Sequence, residues 1–295
     1  MDSPTATLIQ ILRERVNSFV EQGNYDEAVH SATAAVEKAQ QALSPDLRSV
    51  EEFADTLELR GELYRALGRY EEARDDYKQA LEQLEGRPDR NLQIGRLHAD
   101  QGAVYDALGS DGKAADHWQQ ALELFEQAEP PAKLDVAAMA NNLAYLKKRA
   151  GDIDAAESHF LKALEILHTE LGPEHDETAI VSNNLGALYL TAGYFEQARE
   201  MHMMALEARR KNFGEDHPDT AQSHNNLALA LLNTGDRAWA RRHFEKALHA
   251  FEVLGSEYYP DLEAVASNYC EFLRDEGEEV LAERIEGKVR DMAAA

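Results

Sequence analysis

Small and apolar residues recur along the chain at helical spacing, and the pattern repeats seven times. A glycine marks the same place in every repeat, and the last four intervals between these glycines are all 42 residues long. The seven are Gly23, Gly68, Gly109, Gly151, Gly193, Gly235 and Gly277. Because glycine adopts a left-handed conformation at little cost, each is predicted to end one helix before a short turn. The pattern therefore predicts an all-α fold of seven helix-turn-helix repeats.

Each predicted second helix carries two small residues, five and twelve positions after the glycine, which lie on one helical face. The first is always alanine: Ala28, Ala73, Ala114, Ala156, Ala198, Ala240 and Ala282. The second is alanine in six repeats and Val289 in the last: Ala35, Ala80, Ala121, Ala163, Ala205 and Ala247. Between them most repeats place a large side chain: Tyr77, Trp118, Phe160, His202 and Phe244. The first helix supplies a small residue seven positions before the glycine: Val16, Gly61, Gly102, Ala144, Gly186, Ala228 and Cys270. We expect the two helices of each repeat to approach closely.

The segments that join repeats share a motif of their own. Residues 171–178 read LGPEHDET, residues 213–220 read FGEDHPDT, and a degraded copy at 255–262 reads GSEYYPDL. Two asparagines and a leucine follow at 183 and at 225. With the small-residue spacing, these segments resemble the tetratricopeptide repeat, and most closely the 42-residue repeats of kinesin light chains and their bacterial relatives. The close match covers about residues 130–270, and the looser pattern covers the whole chain.

The resemblance implies a right-handed superhelical α-solenoid whose first helices line a concave face. No linker or low-complexity tract interrupts it, so we expect one array over residues 1–295. With the glycine at repeat position 15, the repeats cover approximately 8–50, 54–94, 95–136, 137–178, 179–220, 221–262 and 263–292. The last repeat has Glu286 at the large position and a polar second helix, which is typical of a solubilising cap.

The joining loops contain helix stop and start signals. Gly172 and Gly214 are predicted to end the preceding helices, and Thr178 and Thr220 are predicted to cap the next ones. The loop histidines lie beside acidic residues, but loop packing and capping explain them better than a metal site. His117, His159 and His243 share one repeat position and are expected on the helix surface.

The charge of the chain narrows the range of partners. It has 55 acidic and 30 basic residues and a formal net charge of −25, which disfavours nucleic acids and anionic membranes. A single cysteine, Cys270, allows no intrachain disulfide. We see neither a signal peptide nor an apolar run of membrane-spanning length, and the cytoplasm is the expected location.

Repeats four to six present few charges at the positions expected to face inward. Of eighteen such residues none is acidic and two are basic. Position 6 holds an asparagine ladder, Asn142, Asn184, Asn226 and Asn268. A carboxamide both donates and accepts hydrogen bonds, so the ladder is suited to an extended peptide backbone, as the resemblance also implies. The alternative is that these asparagines pair with the adjacent repeat, and we favour that role for Asn141, Asn183 and Asn225 at position 5.

Beside the ladder, Tyr145, Leu190, Leu229 and Leu232 are expected to select side chains of the bound segment. The predicted peptide-binding set is Asn142, Asn184, Asn226, Asn268, Tyr145, Lys148, Arg149, Asn183, Asn225, Leu229 and Asn233. Repeats one to three differ, because their inward positions hold seven acids and three bases. These are Glu14, Glu21, Asp55, Glu58, Glu62, Asp100, Asp106, Arg13, Arg65 and Arg96. The groove of kinesin light chains is basic, whereas the inward positions of repeats one to three are mostly acidic here. This chain is therefore expected to prefer a partner with a basic end.

Catalytic motifs are missing from the sequence. It contains no phosphate-binding glycine loop, no Cys-x-x-Cys and no His-Glu-x-x-His. Ser158 with His159, and Ser223 with His224, are helix neighbours whose side chains point about 100° apart. We therefore predict a protein-interaction scaffold that is not an enzyme and needs no cofactor or metal. The alternatives are a structural protein that forms homo-oligomers and, less favoured, a regulatory or enzymatic role.

Overall fold

The computed structural model describes residues 3–293, and this part of the chain contains fourteen α-helices, two single-turn 3-10 helices and no strand. The chain divides into two compact units, an N-terminal unit through Leu146 and a C-terminal unit from Lys147 onward. The all-α prediction and the predicted order of seven helix pairs are confirmed.

The helices alternate between first and second members of the repeats. The N-terminal unit contains α1 (Ser3–Glu21), α2 (Tyr25–Gln41), α3 (Leu47–Ala66), α4 (Tyr70–Leu84), α5 (Asn91–Ala107), α6 (Asp111–Glu126) and most of α7 (Lys133–Arg149). The C-terminal unit contains α8 (Ile153–Glu170), α9 (Asp176–Ala192), α10 (Phe195–Phe213), α11 (Pro218–Asn233), α12 (Arg237–Leu254), α13 (Tyr259–Asp275) and α14 (Glu279–Ala293). Odd-numbered helices are the first helices of repeats, and even-numbered helices are the second.

The seven repeat glycines all end a first helix in the left-handed conformation, with φ between 69° and 86°. The left-handed conformation of Gly68 allows two backbone hydrogen bonds at the end of α3. Gly68 N–H donates to the Arg65 carbonyl, and Arg69 N–H donates to the Tyr64 carbonyl at 2.8 Å. This pair of hydrogen bonds satisfies carbonyls that the helix end leaves open. The predicted helix ends are therefore confirmed.

Close approach of the two helices in a repeat depends on the small residue of the first helix. A Cβ atom added to Gly61 would lie 2.7 Å from the Tyr77 ring, and one added to Gly102 would lie 2.4 Å from the Trp118 indole. The alanines of the second helices are buried beside these contacts. The expected combination of small and large residues is present.

Helix starts are where the sequence prediction was wrong. The first helices begin three to seven residues before the predicted repeat starts, so Thr178 and Thr220 lie inside helices and are buried. The N-caps are His175 and His217, whose Nδ1 atoms accept from the Glu177 and Asp219 N–H groups at 3.3 Å. Thr178 instead donates its hydroxyl hydrogen to the Gly172 carbonyl. Gly172 and Gly214 end the preceding helices as predicted.

First helices of consecutive repeats also contact one another. In the C-terminal unit α9 contacts α11, and α11 contacts α13; in the N-terminal unit α3 contacts α5. We call the surface of α9, α11 and α13 the C-terminal first-helix face. The surface of α1, α3, α5 and α7 is the N-terminal first-helix face.

Candidate functional site

The asparagine ladder of the C-terminal unit joins neighbouring first helices. The Asn226 amide on α11 donates to Oδ1 of Asn183 on α9 at 2.9 Å. The Asn268 amide on α13 donates to Oδ1 of Asn225 on α11 at 3.1 Å. Position 6 of one repeat thus bonds to position 5 of the repeat before it. Asn226 and Asn268 therefore pair with the adjacent repeat, which is the alternative role that the sequence analysis gave for the ladder.

Asn225 at position 5 lies deeper than Asn226 at position 6. Asn225 is only 4% exposed. Asn183 Oδ1 also lies 3.2 Å from Nδ1 of His202, the residue that occupies the large position of its repeat. The structure places Asn183 and Asn225 between helices, which agrees with the favoured packing role for position 5.

Position 6 keeps hydrogen-bonding capacity beyond these contacts. A carboxamide has two N–H hydrogens and two acceptor lone pairs, and the contact to position 5 uses one hydrogen. Asn226 Oδ1 additionally accepts from Gln222 at 3.2 Å. The side chains of Asn184, Asn226 and Asn268 are half-buried.

Apolar and polar neighbours complete the C-terminal first-helix face. Leu229 and Leu232 are half-buried and pack against the hydrophobic core of this unit. Asn233 is exposed, and its amide donates to the Leu229 carbonyl at 2.9 Å. At the start of the unit, burial lowers the pKa of the half-buried Lys148, whereas Arg149 is exposed. The face is neutral and partly apolar along α9 and α11.

Asn142 and Tyr145 are the predicted site residues that belong to the N-terminal unit. Both lie on α7, with Asn142 half-buried and Tyr145 exposed. Position 5 of the preceding repeat is Ala99, whose methyl group cannot accept a hydrogen bond. The pairing seen for Asn226 and Asn268 is therefore not available to Asn142 in that repeat.

Acidic residues gather on the N-terminal first-helix face as the sequence predicted. The Gln93 amide nitrogen donates to Asp55 Oδ1 and Glu58 Oε2, both at 2.7 Å. Together with Glu62, Arg13 and Arg96 these residues line a groove of about 370 Å³. Arg13 lies 3.4 Å from Glu52 and 3.9 Å from Asp55, so this guanidinium is shared between two carboxylates.

Burial and mutual repulsion act on these carboxylates. The pKa of Glu58 is raised by desolvation and by the charges of Asp55 and Asp100, against the hydrogen bond from Gln93. Burial, Asp100 and Glu58 raise the pKa of Glu62. The pKa of Asp100 is raised by burial, although Arg65 lies 3.6 Å away. A cation on this face would relieve the repulsion between the carboxylates.

Gln93 is a residue that the sequence analysis missed. It precedes the predicted start of its repeat at residue 95, but α5 begins at Asn91, so Gln93 lies in the helix beside the acidic groove. Extending the helical pattern one turn toward the N-terminus would have placed it there.

The sequence analysis expected His117 and His243 on the helix surface, but each lies against a second histidine of its own repeat. His117 Nδ1 lies 2.9 Å from Nδ1 of His98, and His243 Nδ1 lies 2.7 Å from Nδ1 of His224. Both are half-buried between the helices of their own repeat. The prediction failed because it considered the second helix without the first.

Ser223 and His224 are hydrogen-bonded to other groups and not to each other. Ser223 Oγ donates to the Asp219 carbonyl and accepts from Arg209, while His224 contacts His243 and Glu215. Within residues 3–293, no three His, Cys, Asp or Glu side chains are grouped so that they could hold a metal ion. No helix in this range combines the length and apolar character needed to cross a bilayer.

Known proteins resemble this chain in both family pattern and structure. The family model described as tetratricopeptide repeat matches residues 52–127, 135–211 and 192–252. No curated protein matches the chain by sequence. BtubC (BKLC) from P. vanneervenii is 27% identical with a TM-score of 0.66, over 78% of this chain and 92% of that one.

Two other solved structures are similar over nearly the whole of this chain. Apo RapI is 13% identical with a TM-score of 0.70, over 97% of this chain and 98% of that one. Aspartyl phosphate phosphatase F from Bacillus subtilis is 16% identical with a TM-score of 0.66, over 99% of this chain and 72% of that one. At these identities the likeness shows the fold alone.

Proposed function

Because the chain belongs to the tetratricopeptide repeat family, we propose that it is a protein-interaction scaffold that binds an extended partner segment on its C-terminal first-helix face. The family fold indicates protein–protein interaction and is typical of scaffolds without catalytic activity. The proposed binding residues are those of the ladder and its neighbours on α9, α11 and α13.

The observation that carries the proposal is the regular row of half-buried amides at position 6. Packed helices lie roughly 8–10 Å apart, and an extended chain rises about 3.3 Å per residue, so one amide recurs for about every three residues of bound chain. The amides of Asn226 and Asn268 are held in place by their bonds to the preceding repeat, which reduces the entropy lost on binding. Such a row can pair with backbone groups whatever the sequence of the segment.

Side-chain preference would come from the residues beside the row. Ile180 lies one helical turn before Asn184 and is exposed, and Leu229 and Leu232 lie beyond Asn226 on α11. With no carboxylate among the inward positions of α9 and α11, a neutral or apolar segment fits this face better than a basic one.

The N-terminal first-helix face is suited to a different segment. Asp55, Glu58 and Glu62 line one groove there, and burial together with repulsion from neighbouring carboxylates, Asp100 among them, raises the pKa values of Glu58 and Glu62. A Lys- or Arg-containing segment would relieve this repulsion, as the sequence analysis expected. We therefore assign basic partner segments to the N-terminal unit and neutral ones to the C-terminal unit.

A displayed library of random 12-residue peptides, selected on the immobilised full chain, tests the C-terminal face. The variant Ile180→Glu with Asn233→Glu adds charge at two exposed positions of that face, and Val253→Glu adds one at an exposed position of α12. We expect the selected peptides to bind wild type and Val253→Glu alike and to lose at least tenfold in affinity for the double variant. Equal binding to all three proteins would refute the assignment.

The acidic face is tested with synthetic Lys-rich peptides and the variant Glu58→Lys with Glu62→Lys. Wild-type affinity should fall as salt rises, because salt screens the attraction between charges that the solvent reaches. The variant should bind the basic peptide at least tenfold more weakly, with a shallower salt dependence. Unchanged affinity and unchanged salt dependence would overturn this part of the proposal.

A further inference from the structure

Large apolar side chains are exposed on or next to the second helices of the C-terminal unit. Leu161 on α8 is 45% exposed, Tyr194 just before α10 is 48% exposed, Met203 on α10 is 44% exposed and Trp239 on α12 is 56% exposed. Leu161 and Met203 are 42 residues apart and so occupy the same repeat position. Contiguous exposed apolar surface marks sites of interaction, and Met203 and Trp239 line the same groove.

Met203 and Trp239 border a groove of about 300 Å³ between α10 and α12. The side chains of Leu227 and Leu231 from α11 line it, and both are largely buried. His243 completes the lining, and Arg199 and Asp236 form an ion pair at 3.3 Å on its border. The groove is thus apolar inside and polar at its rim.

The corresponding place between α12 and α14 is closed by polar contacts. Glu245 stands where Met203 stands one repeat earlier, and it accepts a hydrogen bond from the Tyr269 hydroxyl at 3.0 Å. Arg241, at the place of Arg199, pairs with Glu278. The apolar groove is therefore a departure from the repeat pattern and not a necessary result of the fold.

The two helices that border the groove also depart from the charge of the chain. Helix α10 contains four basic and three acidic residues, and helix α12 contains four basic and two acidic residues. Each of the other five second helices has more acidic than basic residues. In a chain of net charge −25, this is a local reversal of sign.

Arg242 places a positive charge beside the exposed apolar ring of Trp239. Its guanidinium carbon lies 4.9 Å from the centre of the Trp239 ring, and it makes no ion pair with a carboxylate of residues 3–293. Tryptophan and arginine are each enriched at the energetic centres of protein interfaces. The positive charge of Arg242 is therefore available to a carboxylate of a partner protein.

We infer that this groove docks an acidic amphipathic helix of a partner protein. Apolar side chains spaced at i, i+4 and i+7 would insert between Met203 and Trp239, in the manner of helix-in-groove recognition. An aspartate or glutamate beside them would pair with Arg242. A second copy meeting the groove by twofold symmetry would bring Arg242 toward Arg242, so the charges favour a different, acidic partner.

The test is a selection on the full chain from a displayed library of 16-residue peptides. The chain has two tryptophans, and Trp118 is 5% exposed, so a blue shift of the emission on peptide binding reports burial of Trp239. We expect enriched peptides with helically spaced apolar residues and interspersed acids, which cause this shift. We expect Met203→Glu and Arg242→Glu each to weaken their binding at least tenfold.

Controls separate this site from the first-helix face. Val253→Glu adds the same charge to an exposed apolar position of α12 and should leave the affinity unchanged. Ile180→Glu with Asn233→Glu should also leave it unchanged. An enriched pool that is basic, that binds Met203→Glu as well as wild type, or that fails to appear would overturn the inference. A blue shift that grows with protein concentration without peptide would overturn it in favour of self-association.

Discussion

The Asn268 amide donates to Oδ1 of Asn225 across 3.1 Å and ties the first helix of repeat seven to that of repeat six. Asn225 is almost fully buried, so its acceptor has little access to water. This bond shows that the asparagine ladder is built into the packing of the repeats. The same bond fixes the carboxamide of Asn268 at the edge of the C-terminal first-helix face.

Replacing Asn268 by alanine should lower the free energy of unfolding by about 1–3 kcal/mol, since it leaves a buried acceptor without a partner. Asn142→Ala is the matched change, and it should cost less, because Ala99 stands where Asn225 stands for Asn268. Urea unfolding followed by circular dichroism measures both. Equal losses would mean that the inter-repeat amide bond contributes little.

Substitution of Gly102 by alanine should destabilise the third repeat. The new Cβ atom would lie 2.4 Å from the Trp118 indole, whose Nε1 hydrogen is donated to the Ala99 carbonyl at 3.0 Å. We expect a loss of about 1–3 kcal/mol from overpacking. Gly112→Ala on α6 meets nothing within 4 Å and should gain about 0.5–1 kcal/mol from helix propensity. Thermal unfolding of the two variants should shift in opposite directions, and a shift in the same direction would contradict the packing account.

His202 should make the C-terminal unit sensitive to acid. Burial, assisted by the charges of Lys148 and Arg209, lowers the pKa of His202 from its ordinary 6.5 to about 4. Between these values the unfolded chain binds more protons than the folded one, so stability falls as the pH drops from 6.5 toward 4. The loss for this residue between pH 7 and pH 5 should be on the order of 1–2 kcal/mol.

The variant His202→Phe isolates this effect. Phenylalanine occupies the same position in repeats four and six, and Gly186 provides the space opposite His202. The difference in stability between pH 7 and pH 5 should therefore shrink in the variant, as measured by urea midpoints at the two values. An unchanged difference would show that the pKa of His202 in the folded chain lies near its ordinary value.

The helix pairs and their glycine ends were predictable because they depend on local conformation and on spacing within one repeat. The helix starts were not, because His175 and His217 are unusual N-caps and the threonine that resembles a cap bonds backward into the loop. Pairing between Asn226 and Asn183, 43 residues apart, was open as an alternative but required the positions of two helices to be seen. The groove at Trp239 escaped the sequence analysis because it depends on Met203, Leu227 and Leu231 from two other helices.

Binding of an extended segment along the C-terminal first-helix face can be tested directly. The most direct measurement is photocrosslinking of a 12-residue peptide, selected on the full chain and carrying a benzophenone group, with the linked residues identified by mass spectrometry. We expect crosslinks on α9, α11 and α13, near Asn184, Asn226 and Asn268. Crosslinks confined to the second helices α10 and α12, or crosslinks that persist in the variant Ile180→Glu with Asn233→Glu, would contradict binding along this face.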